Sequence, residues 1–128
     1  MLVCCFTLFS LSLTAQQVSN GTVVYLQNSG TGEFLTAAAS GSNATMSASA
    51  GPLATQWTFE VNSNGLHNID SQLPSSTSGR GILRALGSGS VISTNISPPR
   101  NDADKSWTIE YNAVDDTYRF RQQNGNNR

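Results

Sequence analysis

The chain reads as an all-β domain built on an internal repeat of short strands. Helical periodicity is almost absent, short β-type runs alternate with turn clusters, and one tryptophan-bearing segment recurs fifty residues further on. Even the Ala- and Ser-rich stretch 37–50 shows no apolar stripe at helical spacing, and Gly41 interrupts it. The strand-like runs fall at 22–27, 33–37, 56–61, 66–71, 81–86, 90–93, 106–111 and 117–122. Between them lie turn formers such as Asn28-Ser29-Gly30-Thr31-Gly32, Asn62-Ser63-Asn64-Gly65 and Val114-Asp115-Asp116. Gly87-Ser88-Gly89 lacks the Lys and the following helix of a phosphate loop and reads as a hairpin turn.

The repeat sets the architecture. Gln56-Trp57-Thr58-Phe59-Glu60-Val61-Asn62 returns as Ser106-Trp107-Thr108-Ile109-Glu110-Tyr111-Asn112, with apolar and polar residues alternating in both copies. A second pattern keeps the same phase: Tyr25 precedes Gly32-Glu33-Phe34-Leu35, and Ile69 precedes Gly81-Ile82-Leu83. A third unit opens at Tyr118-Arg119-Phe120, and the next aromatic at the same spacing would fall one residue past Arg128. The expectation is therefore a fragment of about two and a third units. Tyr25, Ile69 and Phe120 are expected to share one core layer, Trp57 and Trp107 another, with Phe34 and Ile82 completing the structural core.

Composition narrows the function. Among the 128 residues 38% are hydrophobic and only 12% charged, with seven basic and eight acidic side chains for a net charge of −1. Such a balance offers no basic stripe for a phosphate backbone, so nucleic acid is not expected as a partner. Residues 1–15 carry no charge and an apolar run too short to span a bilayer, which reads as a secretory signal cleaved after Ala15. The domain is then 16–128, secreted or extracellular, with no membrane insertion after cleavage. The competing reading of 1–15 is a buried first strand. Cys4 and Cys5 both lie in this segment, so the mature chain has no disulfide, no Cys-ligated metal and no thiol nucleophile.

A strand, a turn, a Gly-x-aromatic-Leu strand, a polar loop and then a Trp strand resemble one lobe of the ricin B-type lectins. The resemblance covers about residues 21–128 and implies a β-trefoil, incomplete at the C-terminus, acting as a carbohydrate-binding module. The sequence also departs from that pattern. The Gln-x-Trp signature of the family is approximated only by Gln56-Trp57 and Ser106-Trp107. The family's sugar-binding Asp is replaced at the equivalent positions by Thr36 and Arg84, and the loops 37–55 and 85–105 hold no aromatic ring on which a sugar could stack. The resemblance therefore points to the third lobe for any sugar site of the family's kind.

Trp57 and Trp107 alternate with polar neighbours and are equivalent between repeats, which favours core over sugar platform. His67, the sole histidine, has no sequence partner for a zinc site or a triad. Asp102 and Asp104 sit in a polar loop beside Arg100 and Lys105, where solvated turn formation is the ordinary role. If that loop forms a ligand site, Asn101 and Asp102 are its expected acceptors. Glu60 and Glu110, at one strand position of the repeat, are expected to face solvent or bond a neighbouring strand. Asn20, Asn43 and Asn95 each head a glycosylation sequon.

These readings predict a lectin-like, polysaccharide- or glycan-binding module at the front of a larger secreted protein. It would carry no cofactor and no metal, and any catalysis would lie beyond residue 128. The alternative is a structural trefoil that has lost its sugar sites and serves as a spacer or protein-contact domain, a reading that Thr36, Arg84 and the ring-free loops favour.

Overall fold

The computed structural model describes residues 5–8, 20–38, 42–75, 79–85, 91–94 and 100–123. Within them lie ten strands: β1 (Cys5–Leu8), β2 (Val23–Asn28), β3 (Phe34–Thr36), β4 (Thr45–Ser47), β5 (Gln56–Val61), β6 (His67–Ser75), β7 (Gly79–Ala85), β8 (Val91–Thr94), β9 (Trp107–Asn112) and β10 (Thr117–Gln122). Short 3-10 turns over Leu53–Thr55 and Ala103–Lys105 immediately precede the two tryptophan strands, again fifty residues apart. The eight expected runs all become strands. The sequence reading did not anticipate β4, which is short and carries only one large apolar residue, Met46.

Every strand pairing is antiparallel, and six strands close on themselves. β2 pairs with β5, β5 with β6, β6 with β9, β9 with β10, β10 with β1, and β1 with β2. The hairpin β3–β4 extends from β2, and β7–β8 extends from β6. This is a β-trefoil arrangement. Lobe one comprises β2–β5, lobe two comprises β6–β9, and β10 opens the third. Cys5–Leu8, inside the segment expected to be an export leader, is a strand in this structure.

The ring is held from inside. Leu26, Trp57, Phe59, Ile69 and Ile82 are completely buried, and Trp107 and Phe120 nearly so. Phe59 stacks on Phe120 across the interior, with ring centroids 5.9 Å apart and planes within 5°. Each tryptophan also makes one directed contact. The indole N–H of Trp57 donates to the Leu35 carbonyl, and that of Trp107 to the Leu83 carbonyl, both at 3.0 Å. These bonds tie the fourth strand of each lobe to the second, and they confirm Leu35 and Leu83 as equivalent positions.

Two expected core residues sit differently. Strand alternation in β2 turns Val24 and Leu26 inward, so Leu26, not Tyr25, joins Ile69 and Phe120 in the shared layer. Register supports this, since Phe59 lies opposite Ile69 and Ile109 opposite Phe120. Tyr25 is half-buried, and its ring meets the half-buried Phe34 edge-on at 6.3 Å. In β3 the inward position belongs to Leu35, followed by Ala37 just past the strand. In both cases the larger aromatic packs on the outer side, next to the aliphatic residue that fills the core.

The turns are built by asparagine side chains. Asn62 Oδ1 accepts from the backbone N–H groups of Asn64 and Leu66, while Gly65 takes φ of 75° to reverse the chain. At the equivalent turn Asn112 Oδ1 accepts from the Val114 N–H, and Asp116 supplies the left-handed residue with φ of 53°. Replacing Asp116 by Val should cost about 1–2 kcal/mol, since a β-branched residue takes this left-handed conformation only with strain and the Tyr111 hydroxyl loses its acceptor. Trp57→Phe should cost about 2–4 kcal/mol, because it leaves the Leu35 carbonyl without its donor and removes buried ring volume. Urea unfolding of the full-length chain checks both, and a Trp57→Phe midpoint equal to that of the parent would refute the second.

Candidate functional site

The polar loop before β9 is drawn against the turn between β5 and β6. Asn68, near the start of β6, is buried, and its Nδ2 donates to the carbonyls of Arg100 at 2.8 Å and Lys105 at 2.9 Å. One carboxamide therefore pins both ends of the loop. Its middle is held by Asn64 Nδ2, which donates to the Asn101 carbonyl at 3.4 Å, and by Asn101 Nδ2, which donates to Ser63 Oγ at 3.3 Å. Asn62 Nδ2 reaches Ser106 Oγ at 3.0 Å.

Arg100 provides the charge. Its Nη2 donates to Glu60 Oε2 at 2.8 Å and to Asp70 Oδ2 at 2.7 Å. Asp70 is buried, whereas Glu60 and Arg100 both remain partly open to solvent. A guanidinium beside a buried carboxylate offsets the cost of removing that charge from water. Between turn and loop lies a cleft of about 340 Å3, lined by Glu60, Val61, Asn62, Ser63, Asn68, Arg100 and Asn101. Its wall presents carboxamides, a hydroxyl, a carboxylate and a guanidinium, with no aromatic ring.

The two residues expected as acceptors take different places. Asn101 is exposed and lines the cleft. Asp102 lies behind it: its carboxylate accepts from Lys105 Nζ at 3.0 Å, and its carbonyl accepts from the Lys105 N–H at 3.0 Å and from Ser106 Oγ at 2.8 Å. Asp102 therefore shapes the 3-10 turn that delivers Trp107. Asp104 is likewise occupied, accepting from Arg84 Nε. The two loop carboxylates consequently do not flank a cleft in the manner a glycosidase requires.

Glu110 accepts from Arg121 on the neighbouring strand at 3.3 Å, and Glu60 bonds Arg100 rather than an adjacent strand. At the position equivalent to the family's sugar-binding Asp, Thr36 turns its hydroxyl onto the Phe34 carbonyl at 3.0 Å, and Arg84 is committed to Asp104. His67 starts β6 in register with Trp107, where burial pushes its imidazole pKa below the ordinary value, partly offset by a backbone hydrogen bond from that strand. Among the described residues, no group of three or more His, Cys, Asp or Glu is placed to hold a metal ion. The loop residues Asn95 and 96–99 lie outside the described residues, as does the 87–89 turn.

Sequence reasoning singled out Asn101 but not the residues that line the cleft with it. Glu60, Asn62, Asn68 and Arg100 come from three separate segments, and nothing in their local patterns announces that they meet. The one available signal was the repeated Asn at 62 and 112, which marks turn chemistry rather than a site.

A ring of six strands with hairpin extensions and tryptophan-anchored lobes defines a β-trefoil module, and a polar cleft lies beside its second lobe. Residues 25–128 match the family described as the endo-acting ulvan lyase β-trefoil domain, and the chain belongs to that family. It is 42% identical over 107 residues to an endo-acting ulvan lyase of Formosa agariphila, covering 78% of this chain and 19% of that protein. It is 38% identical over 104 residues to an ulvan lyase of Nonlabens ulvanivorans, covering 77% of this chain and 18% of that protein. The chain thus spans about a fifth of the length of these curated relatives. No solved structure matches it significantly.

Arg100→Met should lower stability by about 2–3 kcal/mol in urea unfolding, because it removes the guanidinium from a buried carboxylate while retaining most of the side chain's bulk. The histidine adds a pH dependence. An unfolded imidazole titrates near 6.5, and the folded one titrates lower. Below about pH 6.5 the unfolded state therefore binds more protons, and His67's contribution to stability falls as pH drops toward the folded value. Thermal midpoints between pH 7.5 and 5 should fall less steeply in His67→Gln than in the parent; equal slopes would contradict the assignment.

Proposed function

We propose that this domain is the polysaccharide-binding module of an exported polysaccharide lyase, and that the cleft beside Arg100 is its recognition site. The reading rests on one conjunction: membership of a domain family named for ulvan lyases, together with a cleft whose carboxamides, hydroxyl and carboxylate suit a hydroxyl-rich chain. Asn101 is the principal contact, and Glu60 and Arg100 orient the ligand beside it. Asp102 contributes by holding the loop. Cleavage of polysaccharide belongs to other parts of the longer protein, and residues 1–15 serve as the export leader, removed after Ala15.

Such a cleft would bind weakly. A few hydrogen bonds in a wet site, without ring stacking, give modest affinity unless several modules engage one chain. In a lyase that suffices, because tethering raises the local substrate concentration near the catalytic part.

A structural role remains the second reading, and a specific observation favours it. Arg84 is paired with Asp104, and Thr36 bonds its own strand, so the positions at which lectins of this fold use a carboxylate are already committed. Affinity electrophoresis of the full-length chain in gels containing ulvan separates the two. Binding by the cleft predicts retardation that weakens about tenfold in Asn101→Ala, the loss expected for roughly 1.4 kcal/mol, and that is unchanged in Thr36→Ala. No retardation up to millimolar binding-site concentration would leave the spacer role standing. Amino-terminal sequencing of the secreted protein should begin at Gln16; a start at Met1 would refute the leader.

A further inference from the structure

We propose that the outer face of the first lobe, centred on Tyr25 and Phe34, is a second subsite that takes one sugar ring of a polysaccharide by stacking. It rests on the reading of the domain as polysaccharide-binding, but not on the Arg100 cleft.

Strand register assembles the face. Tyr25 lies opposite Gln56, Gln27 opposite Phe34, and Phe34 opposite Ser47. Opposite residues of an antiparallel pair share a side of the sheet, and so do residues two apart in one strand. Tyr25, Gln27, Phe34, Thr45, Ser47 and Gln56 therefore share the side away from the buried Leu26, Leu35 and Trp57. None of the six is charged. The two rings meet edge to face at the centre, with centroids 6.3 Å apart and planes at 79°. Gln56 Nε2 donates to the Gly51 carbonyl at 3.0 Å and to the Tyr25 hydroxyl at 3.5 Å, and Gln27 Nε2 donates to the Gly32 carbonyl at 2.8 Å. Both carboxamides are thus held in place beside the rings.

The second lobe has the corresponding face and covers it. By register and by the indole bonds, Asn68, Asp70, Ile82 and Thr94 are the counterparts of Tyr25, Gln27, Phe34 and Ser47. Asn68, Asp70 and Ile82 are at most 2% exposed, whereas Tyr25, Gln27 and Phe34 are only half-buried. The cover is that lobe's own loop. Asn68 bonds the Arg100 and Lys105 carbonyls, Arg100 bonds Asp70, and Asp104 pairs with Arg84. The corresponding stretch of the first lobe, 48–55, is eight residues long against eleven for 95–105, and it has no charged side chain. Both stretches lie inside the chain, so the difference in cover belongs to the lobes themselves.

What is left open suits a sugar. A sugar ring has an apolar C–H face and a rim of hydroxyls. An aromatic side chain packs on the first, and carboxamides donate to and accept from the second. Among the described residues, no acceptor takes the Tyr25 O–H and no donor takes Gln56 Oε1. One donor and one acceptor therefore stand beside the rings. The Arg100 cleft offers polar contacts without a ring, and this face offers rings without a charge. Two weak subsites of this kind on one module reinforce each other along a single polymer.

Nitration of the full-length chain by tetranitromethane, with the modified tyrosines located by peptide mass, tests the subsite without any substitution. Ulvan at a concentration that retards the parent in a gel should slow nitration of Tyr25 at least threefold and leave Tyr111 unchanged. The protection should persist in Asn101→Ala. Gel retardation by ulvan gives a second readout. Phe34→Ile, which carries the second lobe's residue at the equivalent position, should weaken retardation at least fivefold while still unfolding cooperatively in urea. Equal retardation of Phe34→Ile and the parent, or equal Tyr25 nitration with and without ulvan, would overturn this subsite and leave the cleft standing. Loss of the Tyr25 protection in Asn101→Ala would overturn it as well. An unretarded parent would remove the premise that both sites share.

Discussion

The indole-to-carbonyl bond in each lobe is the constraint on which the remaining structure depends. Trp57 and Trp107 fill the interior by bulk, but their N–H groups must also find acceptors there, because an unsatisfied buried donor costs 1–3 kcal/mol. The carbonyls of Leu35 and Leu83 meet that need. Each bond fixes how far the hairpin of its lobe leans over the barrel. It thereby fixes the depth of the leucine and the path of the loop that follows.

The site depends on the same anchor at one remove. The loop from Arg100 to Lys105 must end where Trp107 enters the core, and the 3-10 turn over Ala103–Lys105 makes that approach. Asp102 closes the turn on Lys105, and Asn68 clamps the loop at both ends. Arg100 is then held where it can reach Asp70 inside and Glu60 outside. Lobe one has a turn at the equivalent place, built from Pro52 and Thr55 without a charged residue, and it makes no corresponding clamp. Divergence between otherwise matching lobes is where a recognition surface can arise without disturbing the barrel.

The polarity of the cleft suits an extended hydroxyl-rich ligand better than a small apolar one. Its hydrogen-bonding groups are partly engaged with each other, which preorganises them and lowers the entropy lost on binding. The same engagement limits affinity, since a ligand must compete with existing bonds.

The sequence by itself determined the fold class, the four strands of the second lobe, three of the four in the first, and the identity of the tryptophan anchors. Those features are encoded locally, by period-two alternation, by turn asparagines and glycines, and by a repeat long enough to be phased. It misplaced Tyr25 and Phe34, because residue size was a poorer guide than the inward phase set by Val24, Leu26 and Leu35. It could not foresee that Glu60, Asn68, Asp70 and Arg100 converge beside Asn101, since their contacts span 30 to 40 positions of chain. Only the tertiary structure decided that convergence, and only it placed Cys5–Leu8 between strands far away in sequence. Hydrogen-bond partners between distant strands are chosen by closure of the ring, a condition that no local window of residues expresses.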